Sequence, residues 1–349
     1  MVSAVTRRVA AIDCGTNSIR LLVADLPDAS AGADLPLVDV VRRLELVRLG
    51  QGVDRTGLLA PEAIERTRVA LAGYAAEIAA LGAERVRMCA TSASRDATNA
   101  DDFRAMVRET LGVEPEVVTG EEEANLSFTG AVRGLPADIA SPLLVVDIGG
   151  GSTEFVVGSR PGVGSRPGVG SGPAEGGLAG VGGRPAEDSP APLAVVDGAV
   201  SVDVGCVRMT ERHLPDDPPG PAQVAAAEAD IAAAVDRALA AVPGRDAATL
   251  VGLAGSVTTV AAIALGLTGY QPERIHHARI SYDQVAQVTR DLLAMTSAQR
   301  LENPVMHPGR VDVIGAGALV LKAIMERAGM DSVIASEHDI LDGIAYSLG

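Results

Sequence analysis

One short device occurs twice in this 349-residue chain, and it constrains the fold more than any other feature. An apolar run from Val9 to Ile12 ends in Asp13, turns through Cys14, Gly15, Thr16, Asn17 and Ser18, and resumes at Ile19. A second run from Leu143 to Val146 ends in Asp147, turns through Ile148, Gly149, Gly150, Gly151 and Ser152, and resumes at Glu154. Each copy reads strand, aspartate, Gly-rich turn, strand. An internal repeat of a supersecondary unit points to two half-domains of one topology.

The rest of the chain supports an α/β protein. Strands are expected at 19–25, 37–48, 85–90, 116–119, 249–253 and 332–335. Helices are expected at 61–81, with Pro61 in the first turn, and at 101–111, from about Glu121, 207–214, 221–242 and 256–265. Further helices are expected at 282–295, 297–302, 310–328 and 339–348. Strands and helices mixed in this order indicate α/β architecture. A chain of this length with 47% hydrophobic residues has material for two cores.

Residues 159–193 interrupt the second half. Ser-Arg-Pro-Gly-Val-Gly at 159–164 is repeated at 165–170, and the remainder is rich in Gly, Pro and Ala. Such a segment buries too little apolar surface to order itself, so it reads as a long disordered loop between two strands, with strand character resuming at Leu193 to Val196.

Composition removes several function classes. Aromatics make up only 2% of the chain, so stacking platforms for bases are not expected. A net charge of −16 disfavours nucleic acid and anionic membranes. The basic residues are almost all Arg, Lys322 being the only lysine, as a high-GC genome would write them. No apolar run is long enough to span a membrane, and the start of the chain lacks the pattern of a signal peptide, so a cytoplasmic protein is expected. Cys14, Cys89 and Cys206 are too far apart for a disulfide framework or zinc site and read as buried fillers. None of the five histidines has metal-type spacing. Neither a nucleophile elbow nor a P-loop is present.

The turns carry the chemistry. A strand that ends in a tight Gly turn presents successive backbone N–H groups to one side and forms an anion nest. Thr16, Asn17 and Ser18 add donors without bulk, as do Ser152 and Thr153 in the second copy. Asp13 beside phosphate requires an intervening cation, and a hydrated Mg²⁺ is the economical one. Three consecutive glycines lose the most backbone entropy, so they imply that something approaches the main chain closely. Two such turns imply one ligand held between two halves.

Glu121, Glu122 and Glu123 open a helix, where acids complement the macrodipole. That accounts for one or two of the three. Glu154 directly follows the second turn. Both Glu123 and Glu154 are candidates to deprotonate water beside a polyanion. The donor-dense stretch Thr91 to Asn99, with Arg95, either lines a phosphate cleft or caps a helix. Gly255 and Ser256 sit at a strand-to-helix turn suited to anions.

These segments resemble the exopolyphosphatase/guanosine pentaphosphate phosphohydrolase family of the actin-like superfamily. The resemblance rests on Ala11 to Ser18, Ala90 to Asn99, Thr119 to Ala124, Val146 to Glu154, Ala254 to Ser256 and Ser336 to Gly343, and covers nearly the whole chain apart from 159–193. It implies two actin-like (ribonuclease H-like) domains of the sugar kinase, heat-shock and actin superfamily around a cleft. Domain I would be residues 1–122 with 336–349, and domain II residues 123–335. It implies that both Gly turns bind the terminal phosphates, with Gly15 and Gly149 to Gly151 at their centres. Asp13 and Asp147 would position Mg²⁺, Glu123 would be the general base, Glu154 would orient water or assist the metal, and Arg95 would contact phosphate. It alone implies a homodimer. Two departures stand out: Asn125 occupies a position usually held by Arg, and the chain lacks the C-terminal helical domains of longer members, so a preference for short chains is expected.

The expected activity is release of terminal orthophosphate from inorganic polyphosphate. Hydrolysis of guanosine pentaphosphate at the same site is the alternative. A small-molecule kinase of the superfamily would need its own acceptor-activating Asp. A sensor that binds polyphosphate or alarmone without turnover would not need both glutamates.

Overall fold

The computed structural model describes residues 7–27, 36–160 and 194–349. The expected disordered loop therefore lies outside the described residues, except for Ser159 and Arg160. The first half runs β1 (Arg7–Cys14), β2 (Ile19–Leu26), β3 (Val38–Glu45), α1 (Val53–Thr56), α2 (Pro61–Leu81), β4 (Arg85–Ala90), α3 (Ser92–Asp96), α4 (Ala100–Leu111) and β5 (Glu116–Val117). Helix α5 (Gly120–Arg133) then leads into the second half. That half runs β6 (Leu143–Ile148), β7 (Thr153–Ser159), β8 (Val195–Val202), α6 (Cys206–His213), α7 (Pro221–Ala241), β9 (Thr249–Leu253), α8 (Ala254–Ala264), α9 (Pro272–Ile275) and β10 (Arg279–Ser281). It continues with α10 (Tyr282–Ala294), α11 (Ser297–Leu301), α12 (Ile314–Ala328) and β11 (Ser332–Ala335), and α13 (Ile340–Tyr346) closes the chain.

The repeat in sequence is a repeat in topology. The first sheet has the order β3-β2-β1-β4-β5. The second has β8-β7-β6-β9-β11, the same order, with β10 added at the edge. In each, a three-stranded antiparallel meander is extended by parallel strands reached through helical crossovers. This is the actin-like architecture, in two copies. Strand β8 extends well beyond the stretch expected from sequence. The short elements α3, α9 and β10 were not legible, because three to five residues do not establish a period.

Alternation along the strands splits each half into two cores. On one face of the first sheet, Ile12, Leu21 and Val23 pack with Leu71, Tyr74 and Phe103 of α2 and α4. On the other, Val9, Ala11 and Leu22 pack with Ile340, Leu341 and Ile344 of α13. In the second sheet, Val145 and Val156 face Ala124, Phe128 and Val132 of α5, while Val146 and Phe155 face α7 and α12. So α5 and α13 occupy equivalent places, each under one sheet, and they cross each other. A Cβ on Gly130 would lie 2.8 Å from Gly343 N, and a Cβ on Gly343 would lie 2.7 Å from the Leu126 carbonyl carbon. These two glycines let the helices touch through their backbones where the chain passes between the halves.

Candidate active site

The two turns are built alike. Gly15 N donates to Ser18 O at 2.9 Å, and Gly149 N donates to Ser152 O at 3.0 Å. In both, the carbonyls are tied off from behind. Thr16 O accepts from Gly50 N at 2.8 Å, and Asn17 O from Arg48 N at 2.9 Å. Gly149 O accepts from Cys206 N at 3.0 Å, and Gly150 O from Val207 N at 2.9 Å. With their carbonyls held back, the turns are left to present N–H groups and hydroxyls to the space between the halves.

That space is a cleft. The first half lines it with Asp13, Gly15, Thr16, Asn17 and Ser18, the second with Asp147, Gly149, Gly150, Ser152, Gly255 and Ser256, and Glu123 enters it from the start of α5. Thr91 and Ser92 also line it, and Ser92 Oγ lies 2.8 Å from Thr16 Oγ1. The halves meet over the glycines. A Cβ on Gly150 would be 2.8 Å from Thr16 Cβ, and one on Gly151 would be 2.6 Å from Ser92 Oγ. Both glycines thus admit the opposing half, and Gly150 also faces the cleft.

The acidic run at the start of α5 divides its labour. Glu121 is exposed. Glu122 forms a capping box with Thr119, its backbone N donating to Thr119 Oγ1 at 3.1 Å. Glu123 is buried and faces the cleft, with Arg95 Nη1 donating to its Oε2 at 3.2 Å. Burial, then the charge of Glu154, pushes the Glu123 carboxyl well above the usual range, against the pull of Arg95. One turn along the helix, Ser127 Oγ donates to Asp147 Oδ2 at 2.7 Å. The spacing of four between Glu123 and Ser127 places both on one helix face, a signal available in the sequence.

Four expected site residues stand behind the cleft wall. Glu154 is 1% exposed, and its Oε1 accepts from Ser152 Oγ and Ser201 Oγ, each at 2.7 Å. Burial raises its affinity for a proton, opposed by the two serines. Arg95 is held on Glu123 and on Val118 O, 3.1 Å away. Thr153 Oγ1 donates to Val204 O at 2.5 Å. Gly151 abuts Ser92. Asn125 does not line the cleft either.

Two cleft arginines were not anticipated. Arg20 donates through Nε and Nη2 to Asp13 Oδ2, at 3.0 and 2.7 Å, and through Nη1 to Asp339. Its cross-strand position opposite Asp13 is readable only once the hairpin register is known. Arg310 lies across the backbone of Gly255, where a Cβ would be 2.8 Å from its Nε. It donates to Thr259 Oγ1 at 3.1 Å and to Gly255 O at 3.4 Å. No carboxylate pairs with it among the described residues, so its charge is available to a ligand in the cleft. Ala254, also in the cleft, holds φ at 66°, a left-handed conformation that is uncommon with a Cβ.

The carboxylates suit a divalent cation. Asp13 Oδ1 is buried without a hydrogen-bond partner. Burial pushes the Asp147 carboxyl up to about 8, helped by the charges of Asp339 and Glu154. A cation between Asp13 and Asp147 would relieve both. Among the described residues no three of His, Cys, Asp or Glu are arranged to hold a metal by themselves. Mg²⁺, which takes one or two carboxylates and completes its shell with water and phosphate, fits that donor set.

A second chamber of about 640 Å³ adjoins the cleft through Arg20, Leu44, Ala254, Gly255 and Arg310. Tyr270, Val305 and Met306 give it an apolar wall. The carboxylate of Glu337, which accepts from Tyr270 Oη at 2.7 Å, also faces it. Elsewhere, all three cysteines are buried and free. His213 ends α6, His276 caps the end of α9 and His307 is exposed, while the half-buried rings of His276, His277 and His338 stack, with centroids 3.6 and 4.4 Å apart. Among the described residues no helix is long and apolar enough to cross a membrane.

Comparison with known proteins gives consistent results. The model of the Ppx/GppA phosphatase family matches residues 28–348. The chain is 46% identical to a Mycobacterium tuberculosis protein named exopolyphosphatase 2, covering 98% of each. Among solved structures, an exopolyphosphatase-like protein is 40% identical, with a TM-score of 0.84 over 98% of both chains. The Aquifex aeolicus member of the Ppx/GppA family is 27% identical, with a TM-score of 0.74 over 99% of this chain and 98% of that one.

Proposed function

The chain belongs to the Ppx/GppA phosphatase family, and from that premise we propose that it is a cytoplasmic exopolyphosphatase that releases orthophosphate from the end of inorganic polyphosphate. The observation that carries this reading is the pair of donor turns facing one cleft with the buried carboxylate of Glu123 between them.

The terminal phosphoryl group sits between the turns. Backbone N–H groups and the hydroxyls of Thr16 and Ser18 hold its oxygens, and Arg310 takes the charge of the bridging or next phosphate. Mg²⁺ held by Asp13 and Asp147 would neutralise developing charge on the phosphate oxygens. Glu123 orients a water for in-line attack and accepts its proton. Its burial beside Glu154 raises its basicity toward the working pH, which is where a general base is most effective. Arg95 and Glu154 position Glu123 from behind rather than touching phosphate. Donors fixed before the reaction stabilise the transition state without reorganising.

One observation favours guanosine pentaphosphate as a second reading. The adjoining chamber has an apolar, aromatic wall and a carboxylate, features that suit a nucleoside, while Arg20, Arg42, Arg43 and Arg310 line its other side. The test for both is orthophosphate release with Mg²⁺ from short polyphosphate, long polyphosphate, guanosine pentaphosphate and ATP. Polyphosphate turnover that Glu123→Gln and Arg310→Ala each lower by about 100-fold or more supports the first reading. Turnover of guanosine pentaphosphate alone, lost in Tyr270→Ala, supports the second. Binding without release from any of the four leaves a sensor.

A further inference from the structure

Arg208, on the first turn of α6, reaches three chain segments at once. Its Nε donates at 2.7 Å to Gly151 O, the carbonyl of the third glycine in the second phosphate turn. Its Nη1 donates to Asp54 Oδ1 of α1 at 2.8 Å, and its Nη2 donates to Asp96 Oδ2 at the end of α3. Asp203 Oδ1 stands 4.0 Å from the same nitrogen. The Arg208 backbone N adds a bond to Gly150 O at 3.1 Å. The side chain is 13% exposed, so these charges are only partly screened.

The arrangement joins the halves at a second place, through residues other than those of the α5–α13 crossing. Asp54 and Asp96 belong to the first half, Gly151 and Arg208 to the second. Nearby, Arg212 also binds Asp54, the backbone N of Gly52 donates to Glu211, and Arg48 binds Asp312. Of these contacts, Arg208 alone has its guanidinium on the phosphate turn itself. A rigid planar fork that must satisfy all three acceptors can do so in one relative placement of the halves. When the halves part, Asp54 and Asp96 leave, and the guanidinium is free to swing off Gly151 O.

We propose that Arg208 is a positioning residue that couples closure of the two halves to the shape of the second phosphate turn. The turn presents its N–H groups correctly only while Asp54 and Asp96 hold the Arg208 guanidinium in place. This inference rests on the phosphoanhydride-hydrolase reading for its consequence in catalysis, and on geometry for the coupling itself.

The test compares Arg208→Ala, Arg208→Lys and the double variant Asp54→Asn/Asp96→Asn with the wild type. Readouts are tripolyphosphate affinity by calorimetry, kcat and KM for its hydrolysis, and the radius of gyration by X-ray scattering. The expected result is a loss of about 10-fold or more in affinity and in kcat for Arg208→Ala, since a misplaced turn costs on that order. Arg208→Lys should not restore it, because a point charge cannot span three acceptors. The double variant, whose changes lie outside the cleft, should show the same loss and a larger radius. Combining it with Arg208→Ala should add nothing further. Failure of the hydrolase reading would show as no phosphate release by the wild type while affinity and radius still respond to Arg208. Wild-type affinity and radius in the double variant, or full rescue by lysine, would overturn the coupling.

Discussion

Asp147→Asn should stabilise the metal-free protein at alkaline pH while removing its activity. Asp147 is buried, shares its surroundings with Asp339 and Glu154, and has its carboxyl pushed from 3.8 up to about 8. The folded protein therefore holds this proton more tightly than the unfolded chain does. Stability attached to it is fully present below pH 4 and is lost as the pH rises toward 8. Each tenfold difference in proton affinity is worth about 1.4 kcal/mol, and an effective dielectric well above the dry-protein limit reduces the total, so a penalty of about 2–4 kcal/mol is expected at pH 8. Asparagine keeps an oxygen to accept from Ser127 and carries no charge, so the variant escapes the penalty. Urea unfolding in EDTA at pH 5, 6.5 and 8 checks this: the variant should gain on the wild type progressively with pH. Millimolar Mg²⁺ should then raise the wild type by about 3 kcal/mol if the ion is present at 100 times its dissociation constant, and leave the variant unmoved. A variant that is less stable at pH 8, or whose offset does not vary with pH, would refute both the ionisation argument and the cation site built on it.

Two further outcomes follow from close backbone approach. Gly150→Ala would place a methyl 2.8 Å from Thr16 Cβ and 3.3 Å from Val207 Cγ2; it should cost about 1–3 kcal/mol in unfolding assays and, by prising the turns apart, cut phosphate release by about 100-fold. Helix propensity alone favours alanine over glycine by about 1 kcal/mol, so Gly73→Ala, with nothing within 4 Å of the new methyl, should raise the thermal midpoint, whereas Gly130→Ala, which meets backbone of Asp339 and Gly343, should lower it.

What could be read before folding was local. The paired Asp-Gly turns, their strands and the helices that follow are stretches of contiguous residues whose composition fixes their conformation. Glu123 could be named from the sequence and the resemblance, and the capping box of Thr119 with Glu122 gives the physical reason why it, of the three acids, points inward. Arg310 carried no local signal at all. It is the last residue of a short 3₁₀ turn (Pro308–Arg310), far in sequence from Gly255, and only tertiary packing brings it over that glycine. Arg95 shows the reverse case, a residue whose partner in the structure is not the one its sequence context suggests. A lone Arg in a donor-rich stretch reads as a phosphate ligand, and in the structure its guanidinium is bonded to the carboxylate of Glu123.

The duplication also explains why the site is asymmetric. In the first hairpin Asp13 pairs across the strands with Arg20; in the second, the equivalent partner of Asp147 is Glu154. The same backbone position thus carries a cation in one half and an acid in the other. Arg20 partly neutralises Asp13 and, despite burial, holds Asp339 below the usual carboxylate range. Glu154 does the opposite to Asp147 and Glu123, raising both. The Asp13 wall is therefore partly settled without a ligand, although burial still raises Asp13 and leaves its Oδ1 unpartnered, and the Asp147 wall is the less settled of the two. The less settled wall is where a proton or a divalent ion gains most by binding, and it carries the carboxylate placed to take a proton from water. Exchanging the two partners, Arg20→Glu with Glu154→Arg, would preserve net charge and hairpin geometry while moving the strain away from Glu123. If fold and electrostatics alone made the site, the exchange would leave a working mirror image; the position of Glu123 on α5, with no counterpart acid at the start of α13 other than the already paired Asp339 and Asp342, argues that it would not.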